Sequence, residues 1–194
     1  MLIEKLKNYN IILGSKSLRR KELLAELELE FSIKTTDKEE KYPKKFEAKE
    51  VAIFLAKQKA DIIARELEKD YLLITADTIV AQNSEVIHKP KNKQDAIRIL
   101  KELSGNSHKV ITGVCITSFE KQIVFSSITN VFFTNLSDAE ISSYIAKCKP
   151  FDKAGSYGIQ EWIGFIGIEK IIGSYNNVVG LPTAELYQKL KLFI

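Results

Sequence analysis

One stretch constrains this chain more than any other: Tyr71-Leu72-Leu73-Ile74-Thr75-Ala76-Asp77-Thr78-Ile79-Val80-Ala81. Apolar and β-branched residues dominate it, the pattern of a strand buried on both faces. A carboxylate, Asp77, interrupts the run with Thr78 beside it. Ionised carboxylates are rarely buried unless they are paired, hydrogen-bonded or bound to a metal. Two readings fit the stretch alone: the strand ends at Ala76 and Asp77 caps a turn, or Asp77 is a buried functional group. The surrounding sequence has to choose between them.

The remainder bounds the class of molecule. A chain of 194 residues that is 45% hydrophobic and 28% charged suits a single globular domain, taken here as 1–194. The formal charge of +4 suits an anionic small ligand and is too scattered for a nucleic-acid surface. Cys115 and Cys148 match no metal-ligand spacing and read as small buried hydrophobes in a reducing compartment. No apolar run is long enough to span a membrane, and the N-terminus lacks a leader-like apolar segment. A cytoplasmic protein that binds neither nucleic acid nor membrane is the expectation.

Along the chain, Asn10–Leu13 reads as a strand, followed by Gly14-Ser15-Lys16-Ser17 and a helix carrying Leu18, Leu23, Leu24 and Leu27, with Ser17 as its N-cap. A strand, a tight turn and a helix N-terminus make an anion site from free backbone N–H groups and the positive end of the helix dipole. Arg19 and Arg20 in the first turn oppose that dipole, which suits phosphate binding; a solvated basic face is the alternative. Phe31–Thr36 reads as a second strand, then an exposed charged loop around Glu40. A helix over Phe46–Leu67 follows, with Ala48, Ala52, Ala56 and Ala60 permitting close packing, and Lys59 by default on its surface. Glu85–Pro90 reads as a short extended piece, and Asn92 opens a helix that Ser104-Gly105 closes. Lys109–Phe119 and Gln122–Thr134 form an antiparallel hairpin, and Ser137-Asp138-Ala139-Glu140 is a capping box. The stretch from Lys149 to Gln160 is rich in turns and polar groups, a composition frequent in functional loops. Ile163–Ile172 is apolar with two glycines, Gly173–Asn177 a polar turn, and Pro182 starts a closing helix. The pattern implies an α/β fold: a mixed twisted sheet with flanking helices, divided into two lobes around a central cleft.

Several of these stretches together resemble one family. Ser15-Lys16-Ser17-Leu18-Arg19-Arg20-Lys21-Glu22-Leu23-Leu24, Ala76-Asp77-Thr78-Ile79-Val80, His88-Lys89-Pro90, Asp152 to Gln160, and Gly173 to Pro182 are similar, in order, to the signatures of Maf-like nucleoside triphosphate pyrophosphatases. The resemblance implies a Maf/ITPase-like fold and hydrolysis of a nucleoside triphosphate to monophosphate and pyrophosphate. It also implies a divalent cation (Mg²⁺ or Mn²⁺) and a possible homodimer. Residue by residue, Asp77 falls at the proton-acceptor position, while Arg19, Thr78 and Gln160 fall at positions tied to substrate choice and resemble the branch acting on dTTP and UTP. Lys59 and Lys89 fall at positions suited to the triphosphate, with Ser15 and Arg20 of the anion turn as further substrate-binding candidates, and Asp77 with Glu40 at metal-binding positions; Glu39 or Asp37 could take the place of Glu40.

Three departures stand out: Leu18 in place of proline, His88 in place of glycine, and Glu161 in place of the glycine after Gln160, beside the presumed base pocket. Mg²⁺ is commonly held by one or two carboxylates plus substrate phosphates, which Asp77 and Glu40 satisfy. Lys153 is a further candidate for the triphosphate, whereas His108 and Trp162 read as structural. A function of another class uses the same motifs: a nucleotide-binding regulator of cell division or septum formation acting through partners.

Overall fold

The computed structural model of the chain describes residues 2–38 and 41–194. The elements in order are α1 (Leu2–Leu6), β1 (Asn10–Leu13), α2 (Leu18–Ala25), β2 (Ser32–Ile33), α3 (Ala48–Ala64), β3 (Tyr71–Gln82), β4 (Glu85–Ile87), α4 (Lys93–Leu103), β5 (Ser107–Thr117), β6 (Gln122–Phe133), α5 (Asp138–Cys148), a 3₁₀ turn (Ala154–Ser156), α6 (Trp162–Gly167), β7 (Ile168–Ile172), α7 (Tyr175–Val179) and α8 (Thr183–Phe193). The strands form one mixed sheet in the order β2-β1-β3-β5-β6-β7, with β4 also paired to β3. β1 runs parallel to β2 and β3, and the other pairings are antiparallel.

The central strand β3 does not stop at Ala76. It runs through Asp77 to Gln82, and its ladder with β5 is continuous from Leu73↔Thr117 to Ala81↔Lys109. On its other edge two different strands share it. β1 pairs from Asn10↔Tyr71 to Leu13↔Ile74, and β4 pairs from Val80↔Ile87 onward. Between those ladders, residues 75–79 meet no strand on that edge among the described residues. The sheet is split there, and the split holds the cleft.

Side chains alternate faces along a strand. On one face of β3, Leu72, Ile74 and Ala76 join a core with Leu13, Leu24, Leu186 and Leu190. Val80, on the same face, joins a second core with Leu100, Leu103, Val110 and Tyr144. Thr78 lies between them. On the opposite face Leu73 packs with Ala56, Ala60 and Ile63 of α3, whereas Ile79 and Ala81 pack with Val51, Ala52 and Leu55. Thr75 and Asp77 lie between those two clusters. The polar interruption in the β3 sequence is therefore where one lobe's core ends and the other's begins.

Helix α3 covers the Asp77 face. Its capping box is made by Glu47 and Glu50, and its alanines let its backbone come close to the sheet. The Thr75 hydroxyl donates to the Ala56 carbonyl at 2.7 Å. Gly113, opposite Asp77 on β5, completes the fit: a Cβ there would stand 2.2 Å from the Ala52 carbonyl oxygen. Backbone cannot swing aside as a side-chain tip can, so Gly113→Ala should lower stability by about 1–3 kcal/mol, a typical cost of overpacking. A denaturant midpoint equal to that of the parent chain would show that α3 does not depend on this contact.

The expectations from sequence hold for most elements; α1 was not among them, Pro182 is the N-cap of α8 rather than its first residue, and four stretches differ more. The second strand is limited to Ser32–Ile33, because β1 offers it only Ile12 and Leu13 as partners. The helix expected over Phe46–Leu67 is shorter at both ends. The apolar stretch from Ile163 contains a helix, α6, that gives way to the edge strand β7. The polar turn expected at Gly173–Asn177 contributes to α7, capped by Ser174 and ended by Gly180. No described helix is long and apolar enough to cross a membrane.

Candidate active site

A cleft of about 1070 Å³ opens at the split in the sheet. Its walls come from the β1–α2 turn, the middle of β3, the segment after β4, residues 152–161 and the end of α7. The cleft is lined by Ser15, Arg19, Arg20, Lys59, Asp77, Thr78, Lys89 and Gln160 together, although they are scattered along most of the chain. Glu40 lies outside the described residues.

Asp77 is the centre of the α3 side. It is buried, and Lys59 Nζ donates to its Oδ1 at 2.5 Å, with the two side chains 17% and 10% exposed respectively. Lys59 therefore is not the surface lysine that a helix position suggests by default. Removing one member of such a dry pair leaves a buried charge, a cost of about 3–5 kcal/mol, well above that of losing a surface bridge. Tyr42 borders this side; burial, then the negative charge of Asp77, pushes its phenol above the usual range.

The other side is built around Arg20. Its Nε donates to the Gly180 carbonyl at 2.8 Å, Nη1 to Ser15 Oγ at 3.3 Å and Nη2 to Thr78 Oγ1 at 2.9 Å. One guanidinium thus joins the first turn, the central strand and the end of α7. Thr78 also shares a 3.0 Å hydrogen bond with Thr112, which pairs with it across the sheet. Ser17 caps α2 as its spacing implies, accepting from the Arg20 N–H at 3.4 Å, and its own N–H donates to Ser15 Oγ at 3.2 Å. The helix N-terminus consequently faces the cleft, where its dipole favours an anion. Lys89 and Gln160 are exposed at the rim.

Spacing did not single out Tyr42, Asp152 or Glu161 as parts of the site, and it left Lys153 as a secondary candidate. All four line the cleft. Lys153 is buried, and its ammonium pairs with Asp152 at 2.9 Å and Glu161 at 3.1 Å. Burial alone would raise the Asp152 carboxyl, but the Lys153 hydrogen bond and the charges of Lys153 and Arg19 hold it below the usual carboxylate range. The polar, turn-rich composition of 149–160 was the available signal for Asp152 and Lys153, and the departure from the family's glycine was the signal for Glu161.

Beneath this wall, Tyr157 OH and His108 Nε2 share a 2.7 Å hydrogen bond in the core. Burial pushes the His108 imidazole down to about 4, and its Nδ1 has no hydrogen-bond partner among the described residues. A second N–H on that ring would point into apolar surroundings. The His108 reading as structural agrees with this placement.

A hard cation calls for oxygen donors. Among the described residues no group of three or more His, Cys, Asp or Glu side chains is arranged to hold a metal. A cation held by one carboxylate and by substrate oxygens does not need such a group, and Asp77 is placed to supply that carboxylate. A carboxylate oxygen is the kind of donor such a cation takes, and Asp77 carries one in the cleft.

Residues 10–193 match the family model described as Maf-like protein. The chain belongs to the Maf-like protein family. It is 51% identical over 191 residues to a dTTP/UTP pyrophosphatase of Phocaeicola vulgatus, covering 98% of this chain and 99% of that one. It is 45% identical over 194 residues to a dTTP/UTP pyrophosphatase of Flavobacterium johnsoniae, covering both chains completely. Among solved structures, the Staphylococcus aureus Ham1 protein is similar over 64% of this chain and 71% of its own, at 13% identity and a TM-score of 0.43, a partial likeness only.

The His108 placement in this Maf-like protein has a pH signature. Its imidazole titrates near the ordinary 6.5 when unfolded and about 4 when folded, so between those values the unfolded chain binds more protons. Stability is therefore complete above 6.5 and is lost as pH falls towards 4, by roughly 3 kcal/mol in total. Unfolding curves at pH 7, 6 and 5 should show that slope reduced in His108→Gln. An equal slope in both proteins would mean that the histidine is not buried in its neutral form.

Proposed function

We propose that the chain hydrolyses a nucleoside triphosphate between its α and β phosphates, releasing the monophosphate and pyrophosphate. dTTP and UTP, named for its relatives, are the proposed substrates, and a divalent cation, Mg²⁺ or Mn²⁺, the proposed cofactor. The observation that carries this reading is a buried carboxylate, Asp77, oriented by Lys59 and opening into the same cleft as a capped helix N-terminus and Arg20.

Cleavage of a phosphoanhydride requires that a polyanion be neutralised and that water be presented in line with the bond. Arg19, Lys59 and Lys89 supply positive charge along the cleft, and the turn from Ser15 to Ser17 supplies oriented donors. Arg20 braces that turn against Thr78 and Gly180, so the phosphate cradle and the central strand keep a fixed spacing. Asp77 would take the proton of the attacking water or hold the cation, and Lys59 fixes its Oδ1 for either role. When bound, the cation would neutralise phosphate oxygens and lower the pKa of coordinated water. Gln160 at the rim offers amide groups for the edge of a pyrimidine. A regulator that only binds nucleotide would not need a buried carboxylate facing the phosphate cradle, which favours hydrolysis over that role.

The test is product analysis in ¹⁸O-enriched water with a panel of nucleoside triphosphates and Mg²⁺ or Mn²⁺. Pyrophosphate should appear, with the label in the nucleoside monophosphate and with dTTP and UTP turned over fastest. Orthophosphate with a diphosphate, or binding across the panel without turnover, would contradict the reading.

A further inference from the structure

The turn that carries Gln160 is fastened at both ends to one buried hydroxyl. Tyr144, a fully buried residue of α5, accepts a hydrogen bond from the Gly158 N–H at 3.1 Å and donates its own proton to Glu161 Oε2. The Glu161 N–H closes the turn onto the Gly158 carbonyl at 3.0 Å. Gly158 leaves room for this arrangement, since a Cβ there would stand 2.9 Å from the Glu161 carboxyl carbon. Gln160 is left exposed at the apex, facing the cleft.

The other oxygen of Glu161 reaches Lys153, which reaches Asp152, whose Oδ2 accepts from Arg19 Nη1 at 3.4 Å. This chain of alternating charge runs from the core of one lobe across the cleft mouth to α2 of the other. Its links are unequal. The Arg19–Asp152 contact is wet at the aspartate, 64% exposed, and such pairs contribute little by themselves. Lys153 is 10% exposed along its side chain, and Glu161 at 24% is its drier partner. A buried ammonium that loses its drier carboxylate is left largely uncompensated, and here the exposed Asp152 is the partner that remains beside it.

We propose that Glu161 is a positioning residue for base choice: its carboxylate, bound to Tyr144 and Lys153, sets where Gln160 and Arg19 stand and so favours a single-ring over a double-ring base. The proposal rests on the pyrophosphatase reading of the same cleft. Glu161 touches neither the phosphates nor the water in that reading and acts through its neighbours.

The experiment measures two ratios for the parent chain, Glu161→Gln, Lys153→Met and the double variant. One is kcat/KM for dTTP over dGTP; the other is calorimetric affinity for dTMP over dGMP, which needs no turnover. Glu161→Gln keeps the side chain's shape and an acceptor for Tyr144 while removing the charge that holds Lys153. Each single variant should lower both ratios about tenfold, the equivalent of about 1.4 kcal/mol, and the double variant no further, because both act on one chain of contacts. A purely structural loss weakens both nucleotides alike and leaves the ratios unchanged; that result overturns the proposal, as does a parent chain that binds dTMP and dGMP equally. If Glu161→Gln does not fold, Lys153→Met and Tyr144→Phe make the same test. Absence of turnover, with the monophosphate ratio still falling in the variants, would overturn the pyrophosphatase reading and leave the positioning role standing.

Discussion

The buried ion pair between Asp77 and Lys59 is the constraint around which the molecule is arranged. A carboxylate in the middle of a central strand is costly unless a partner meets it in the dry interior. That requirement fixes α3 against the sheet, in the register where Lys59 reaches Asp77. The fit in turn demands small residues at the contact. Ala52 and Ala56 provide them on the helix and Gly113 on the strand opposite. The stability of the pair and the closeness of the helix are one packing problem.

A seam of polar and small residues crosses the sheet at the same level. Asp77 and Thr78 on β3 face Gly113 and Thr112 on β5, which face Ser126 and Ser127 on β6. Apolar cores lie to either side on both faces. At the edge of that seam no strand among the described residues pairs with β3, and the cleft forms where the backbone would otherwise be covered. Arg20 spans the opening from the first turn to Gly180, and Leu23 of the same helix packs against the apolar cores of both lobes, so α2 ties the lobes together. The geometry resembles the general rule for open α/β sheets, in which ligands sit where adjacent strands diverge.

Much of this arrangement is legible in the sequence because its signals are local. The Asn10–Leu13 strand, the Ser17 cap, the β3 run and the alanines of α3 depend on periodicity or on contacts a few residues apart. The split role of β3's edge is not legible, since it depends on where β1 ends and β4 begins. Tyr175–Val179 is too short to show helical periodicity, and its Ser174 cap and Gly180 end read equally well as a turn. The motif order brought the cleft residues together, but composition alone would have left Lys59 on the surface. The contacts of Glu161 with Tyr144 and Lys153 are long-range or loop-dependent, and no spacing rule announces them. The Glu161 departure from the family's glycine was visible in the sequence, whereas what it touches was not.

In the proposed reaction Asp77, oriented by Lys59, is where the chemistry takes place. The most direct measurement is single-turnover hydrolysis of dTTP by Asp77→Asn, alongside calorimetric dTTP binding and thermal unfolding of the same protein. The expected result is a rate at least about a hundredfold below that of the parent chain, the usual contribution of a positioned acid or base, in a protein that still folds and binds nucleotide. A rate within threefold or so of the parent, far short of such a contribution, would contradict the account and place the reacting centre elsewhere in the cleft.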